Sequence, residues 1–136
     1  MKNLVLILML IVAGGFLFFG VQKFGAENIV FETIAENSGI SLFEPVIRML
    51  TGVAEISTAL LILIPRTRLL GALAGLGVLA GAIGFHLSPW LGISVPGMGH
   101  SLFFMALGLT ALTAILFVLL KKQGYSLFGG LQTGLK

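Results

Sequence analysis

Two long stretches of this chain carry almost no charge, and they limit the folds that it can adopt. Residues 3–22 contain no titratable side chain, and residues 69–120 contain only two, which are both histidines. A helix of about 20 apolar residues is long enough to cross the hydrocarbon core of a bilayer. Only 10% of the 136 residues are charged, whereas a soluble domain carries about 25%. The sequence therefore predicts an integral membrane protein of one domain.

Four segments are apolar enough to span a membrane, which predicts an all-α fold built as a four-helix transmembrane bundle over residues 1–122. The predicted spans are residues 3–24, 45–64, 69–87 and 99–120, and a cytoplasmic tail follows at 123–136. A signal peptide is the alternative for the first span, because Lys2 precedes its apolar run. The run is longer than the apolar core of an ordinary signal peptide and no convincing cleavage site follows it, which favours a span.

Basic residues predict the orientation of the spans. With four crossings, five of the basic residues fall on one side of the membrane: Lys2, Arg66, Arg68, Lys121 and Lys122. The positive-inside rule assigns that side to the cytoplasm. Both termini are therefore expected to be cytoplasmic.

The first outer loop, residues 25–44, has an acidic character. It contains Glu27, Glu32, Glu36 and Glu44 and no basic residue. Its apolar residues are spaced as on one face of a short amphipathic helix, and Gly39 is a typical stop signal. A solvated acidic face is favoured here over a ligand site.

Small residues are frequent in the third span. Two pairs have the spacing that lets helices approach closely in lipid, Gly71 with Gly75 and Gly77 with Gly81. Packing inside the bundle is favoured over a dimer face, and a homo-oligomer is left as a possible assembly beside the surrounding lipids.

Glu55 lies about ten residues from either end of an otherwise apolar span. A carboxylate at this depth costs a few kcal/mol, so an acid within a membrane is by default a candidate functional residue. Thr51 and Thr58 flank it on the same helix face. One interpretation is that Glu55 stabilises the packing between helices. The other is a site for protons, a polar ligand or a quinone headgroup.

The other titratable residues of the spans lie near the outer ends: Lys23, Arg48, His86 and His100. Arg48 shares a helix face with Glu55 at a rise of about 10.5 Å, so a water could connect the two, while Lys23 could approach from the first span. Lys23 and Arg48 alternatively snorkel to headgroups, and each histidine alternatively makes an interfacial hydrogen bond. Two histidines are too few to predict a metal site.

Cysteine is absent, which excludes disulfides, thiolate metal sites and dithiol redox chemistry. Residues 71–84 are rich in glycine but lack the Gly-Lys-Ser/Thr ending of a phosphate loop. No other segment resembles a nucleotide or nucleic-acid motif, so a nucleic-acid partner is not expected.

Several motifs resemble those of the DoxX family, small bacterial membrane proteins of four helices. They are Phe19-Gly20-x-x-Lys23-Phe24, Leu50-Thr51-Gly52-x-x-Glu55, Leu60-Leu61-x-Leu63-Ile64-Pro65-Arg66-x-Arg68 and Gly71-Ala72. The resemblance covers about residues 10–120. It implies a multi-pass protein of the bacterial inner membrane in which Lys23 and Glu55 form a polar pair. Members of the family are linked to thiosulfate:quinone oxidoreduction, to membrane oxidoreductase assemblies and, in distant eukaryotic relatives, to receptor assembly.

Two functions follow as hypotheses, and neither decides whether the chain is an enzyme. The first is a small subunit that binds a quinone-like or amphipathic ligand and supports a membrane oxidoreductase. In it, Glu55 and the histidines bind the headgroup or relay protons, while Lys23 and Arg48 hold Glu55. The second is a non-catalytic scaffold or assembly factor, in which the buried polar cluster only stabilises the bundle. The number of polar groups in the outer half favours the first.

Overall fold

The computed structural model describes residues 2–26 and 28–131, which form five α-helices, a 3-10 turn and a small β-hairpin. The helices are α1 Lys2–Gln22, α2 Ile29–Ser38, α3 Val46–Leu63, α4 Arg68–Leu87 and α5 Ser101–Lys122, with the turn at Ser41–Phe43. Helices α1, α3, α4 and α5 are long and apolar enough to cross a membrane. The four predicted spans are therefore confirmed as helices, and no end differs from its predicted position by more than two residues.

The four long helices form a closed bundle. Helix α3 packs against α1 and α4, and α5 packs against the same two helices from the other side. The centre of the bundle is apolar, and its most buried side chains include Val12, Phe16, Ile62 and Leu116. The predicted all-α bundle is therefore confirmed, apart from the short hairpin.

One end of the bundle, the short-loop end, contains the tight connection between α3 and α4 at residues 64–67. Arg68 closes it by donating from Nε to the carbonyl of Ile62 at 2.9 Å and from Nη2 to that of Leu63 at 3.0 Å. Its Nη1 donates to the Tyr125 hydroxyl at 2.8 Å. The hairpin of β1 Tyr125–Ser126 and β2 Gly130–Leu131 thus lies against the bundle. The remainder of the predicted tail, residues 132–136, lies outside the described residues.

The opposite end, the long-loop end, contains residues 23–26, 28–45 and 88–100. The two connections meet there, because Asn37 Nδ2 donates to the carbonyl of Trp90 at 2.8 Å. Phe43 packs between the Phe85 ring, at a centroid distance of 5.5 Å, and the Trp90 ring, at 6.1 Å. This apolar contact fixes the first long loop over the ends of α3 and α4.

The predicted amphipathic helix of the first loop is confirmed as α2. The Asn28 side chain caps its start by accepting a hydrogen bond from the Phe31 amide at 3.3 Å. Gly39 ends it with φ of +74°, a left-handed conformation that glycine adopts readily. Ile34 is buried under the helix and Glu36 is exposed. Helix α2 therefore covers the long-loop end with its apolar face inward, while Glu27 of the same loop lies outside the described residues.

Candidate functional site

The site is built at the closest approach of α1 and α3. A Cβ added to Gly20 would lie 2.8 Å from Ile56 Cγ1, and one added to Gly52 would lie 2.7 Å from Lys23 Cβ. Such distances leave no room for any larger residue. Glycine therefore allows the two backbones to approach closely, as small residues do at interfaces of membrane helices.

This approach brings Lys23 beside Glu55. Lys23 follows the last residue of α1, and its side chain reaches back along the helix, so that Nζ donates to the Phe19 carbonyl at 3.1 Å. The same Nζ lies 3.2 Å from Glu55 Oε2, and each of the two side chains is 12% exposed. The contact implied by the family resemblance is thus present. The role of the pair in ligand binding stays a prediction.

The Lys23–Glu55 ion pair leaves the carboxylate incompletely satisfied. Nζ is close enough to Oε2 for a strong charge attraction, but the contact lacks the geometry of a hydrogen bond. Oε2 is buried, and apart from the Lys23 ammonium it has no hydrogen-bond donor among residues 2–26 and 28–131. Buried polar atoms are almost always hydrogen-bonded, so an acceptor of this kind calls for an explanation. Because the Glu55 side chain is 12% exposed as a whole, a ligand can donate to the part of the carboxylate that Lys23 does not cover.

Glu55 lines a cavity of about 370 Å³ between the long helices and under α2. Most of the lining is apolar, with side chains such as Phe19, Phe31, Leu50 and Phe85. The polar exceptions include Lys23 and Glu55 on one side and His86 on α4. An apolar cavity of a few hundred Å³ with a small number of polar groups is the usual form of a small-molecule site.

His86 is buried in the last turn of α4 and also lines the cavity. Its Nδ1 lies 2.9 Å from the carbonyl oxygen of Gly92. Because a carbonyl oxygen only accepts, Nδ1 carries the proton in this hydrogen bond. Nε2 is then left for another partner. The hydrogen bond to Gly92 agrees with the alternative that this histidine only makes a hydrogen bond near the membrane interface. Because His86 also lines the cavity, it remains a candidate ligand-binding residue.

Arg48 makes no direct hydrogen bond or ion pair with Glu55 among the described residues, and the expected connection through a water stays a prediction. Its Nε donates to both carboxylate oxygens of Glu44, at 2.7 and 2.8 Å. Its Nη1 donates to the carbonyls of Lys23 and Gly25, the latter at 2.8 Å. Glu44 lies only four residues away, whereas Glu55 lies two turns away. Arg48 therefore ties the end of α1 to the start of α3 and supports the site indirectly.

His100 and Thr58 are not brought into the cavity. His100 is exposed at the start of α5, where its ring lies 6.3 Å from that of Phe104. Thr58 is buried against Gly75, deeper in the bundle. Thr51 does line the cavity, and its hydroxyl donates to the Ile47 carbonyl at 2.8 Å. Of the two supporting threonines, Thr51 therefore lines the cavity and Thr58 does not.

Sequence reasoning missed two features of the site. Glu44 was assigned to a solvated acidic face, although its four-residue spacing from Arg48 is a recognisable signal of a helix ion pair. Gly77 and Gly81 were expected to pack inside the bundle, as Gly71 and Gly75 do. They instead line the cavity, and a Cβ added to either would meet no described atom within 4 Å.

In the described part of the chain, no three histidine, aspartate or glutamate side chains lie close enough together to hold a metal ion. Comparisons of the chain with protein-family models, with curated proteins and with solved structures gave no match. The resemblance to the DoxX family therefore rests on its sequence motifs.

Proposed function

We propose that this protein binds the headgroup of an amphipathic, quinone-like molecule in the cavity beside Glu55. The single observation that carries the proposal is the Glu55 side chain, which pairs with Lys23 alone among the described basic residues, at 3.2 Å, and lines an apolar cavity. An acceptor in such a place is matched by a ligand with a hydroxyl or amine group.

The neighbouring Lys23 defines the second contact of the headgroup. An ammonium group has three N–H donors. Lys23 donates to the Phe19 carbonyl and forms an ion pair with Glu55 at 3.2 Å. A remaining N–H can donate to an oxygen of the ligand. A headgroup that both donates to Glu55 and accepts from Lys23 has the chemistry of a hydroquinone, and the apolar walls fit its ring.

The proposal includes a place in the cell. Four helices long and apolar enough to span a membrane, together with the distribution of basic residues, support a multi-pass membrane protein with cytoplasmic termini. The bacterial inner membrane is what the resemblance to the DoxX family implies. The resemblance to the DoxX family supports a small subunit that serves a partner oxidoreductase. Because cysteine is absent, redox chemistry in such an assembly would be supplied by the quinone when bound, and by the partner.

A non-catalytic scaffold is the second candidate function. It is favoured by the close packing of Gly20 and Gly52 and by the ion pair of Lys23 with Glu55, because both lock α1 to α3. In a scaffold the carboxylate serves the fold only, and no ligand is required.

Identification of any molecule that co-purifies with the protein decides between ligand binding and a scaffold. Protein extracted from its native membrane is analysed by mass spectrometry beside the variant Glu55→Gln, which keeps the size of the side chain. Ligand binding predicts a hydroxyl-bearing amphipathic molecule that co-purifies with the wild type and is depleted from the variant. Identical extracts from the two folded proteins would support the scaffold.

A further inference from the structure

The cavity beside Glu55 extends to the outer surface of the bundle between α3 and α4. On α3 its lining includes Leu50, which is 63% exposed. On α4 it includes Gly77 and Gly81, which are also exposed. Residues four apart lie on one face of a helix, so Gly77 and Gly81 form one continuous edge of α4.

The same two helices are tightly packed nearer the short-loop end. A Cβ added to Gly71 would lie 2.6 Å from the Ile62 backbone nitrogen, and one added to Gly75 would lie 3.1 Å from Thr58 Cγ2. Around a Cβ added to Gly77 or Gly81, by contrast, no atom of the described residues lies within 4 Å. Helices α3 and α4 are therefore in close contact at Gly71 and Gly75, whereas Gly77 and Gly81 border open space beside the cavity.

This opening, formed by Leu50, Gly77 and Gly81, is here termed the side window. Its residues belong to α3 and α4, which are both apolar enough to span a membrane. A window in this position faces hydrocarbon and lies beside the same cavity that Glu55 lines. Water-soluble molecules would not reach it, whereas lipids and isoprenoid molecules would.

We propose that the ligand enters sideways from the bilayer and leaves its hydrocarbon tail in the side window, between Leu50 and the Gly77–Gly81 edge of α4. This inference rests on the proposed function and narrows the ligand to molecules that carry a tail on a hydrogen-bonding ring. The glycines at positions 77 and 81 keep the path of the tail free, because any side chain there would project over the mouth of the cavity.

Two probes separate the tail from the ring: a decyl-substituted hydroquinone and the same hydroquinone ring without the tail. Their dissociation constants are measured on the full chain in lipid nanodiscs, for the wild type and for Gly81→Leu. For each probe, the dissociation constant of the variant is divided by that of the wild type. Because the probe partitions into the lipid equally in both samples, this ratio reports on the window alone. Gly84→Leu is the matched control, since Gly84 is an equally open position of α4 outside the lining of the cavity.

The side window predicts that Gly81→Leu weakens binding of the decyl probe by about tenfold or more, because the leucine would occupy the path of the tail. The bare ring should change less than about twofold, and Gly84→Leu should leave both probes at wild-type affinity. Gly77→Leu should reproduce the loss, and it keeps the test decisive if Gly81→Leu is poorly folded.

Two other results would overturn the inference. Unchanged binding of the decyl probe to both window variants, or an equal loss for both probes, would exclude a tail in the window and leave the proposed headgroup site standing. Failure of both probes to bind the wild type would overturn the headgroup site and the window together.

Discussion

Lys23 Nζ lies 3.2 Å from Glu55 Oε2, in a place where each side chain is only 12% exposed. The two residues come from different helices, and their contact depends on two glycines that let α1 and α3 approach closely. Each charged residue follows its glycine by three positions, Gly20 before Lys23 and Gly52 before Glu55. The same short motif thus creates the space and supplies the charge on both helices.

Removal of one charge of this pair should destabilise the fold strongly. Lys23→Met leaves the Glu55 carboxylate buried beside apolar groups, and we expect the free energy of unfolding to fall by about 3–5 kcal/mol. The double variant Lys23→Met with Glu55→Gln should recover most of that loss, because no unpaired charge is left. Equilibrium unfolding in detergent gives the free energies of the wild type, the two single variants and the double variant. Losses of the single variants that simply add in the double variant would contradict a direct pairing.

The glycines at the α1–α3 contact should tolerate no side chain. Gly52→Leu places atoms where Lys23 Cβ now lies, so we expect a loss of about 1–3 kcal/mol in the free energy of unfolding from overpacking. Gly14→Leu is the matched control on α1, since a Cβ there would meet no atom of the described residues within 4 Å. Thermal unfolding compares the two, and equal midpoints for both variants would show that the close approach is not required.

Arg48 is expected to act on stability rather than on ligand recognition. Arg48→Met removes the hydrogen bonds to Glu44 and to the carbonyls at the end of α1, and should cost about 2 kcal/mol or more. Arg48→Lys should rescue little, because an ammonium group cannot make the two-pronged contact with Glu44. Unfolding midpoints report the effect. A lysine variant as stable as the wild type would show that charge alone is sufficient.

The absence of cysteine makes the orientation directly measurable. Leu42 lies exposed at the long-loop end and Arg66 lies exposed in the short loop between α3 and α4. We expect Leu42→Cys to react with a membrane-impermeant maleimide in intact spheroplasts, and Arg66→Cys to react only after lysis. The opposite pattern would place the long-loop end in the cytoplasm.

The fold was predictable because long apolar segments have few alternatives in a membrane. The pairing of Lys23 with Glu55 was accessible from the motifs. The true partner of Arg48 was missed because a shared helix face says nothing of which acid lies nearest in space. The role of Gly77 and Gly81 was missed for a related reason. Their spacing is that of a packing motif, and only the position of α3 shows that one glycine pair is packed while the other borders a cavity.

The most direct test of the headgroup site is the affinity of one decyl quinone in its reduced and oxidised forms. Its reduced form has a hydroxyl to donate to the Glu55 carboxylate, whereas the oxidised form only accepts. Wild-type protein in nanodiscs should bind the reduced form about tenfold or more tightly, and Glu55→Gln should lose most of that preference, as expected for a hydrogen bond to a charged group. Equal affinities for both forms in the wild type and the variant, or no binding by either protein, would contradict a ligand site at Glu55.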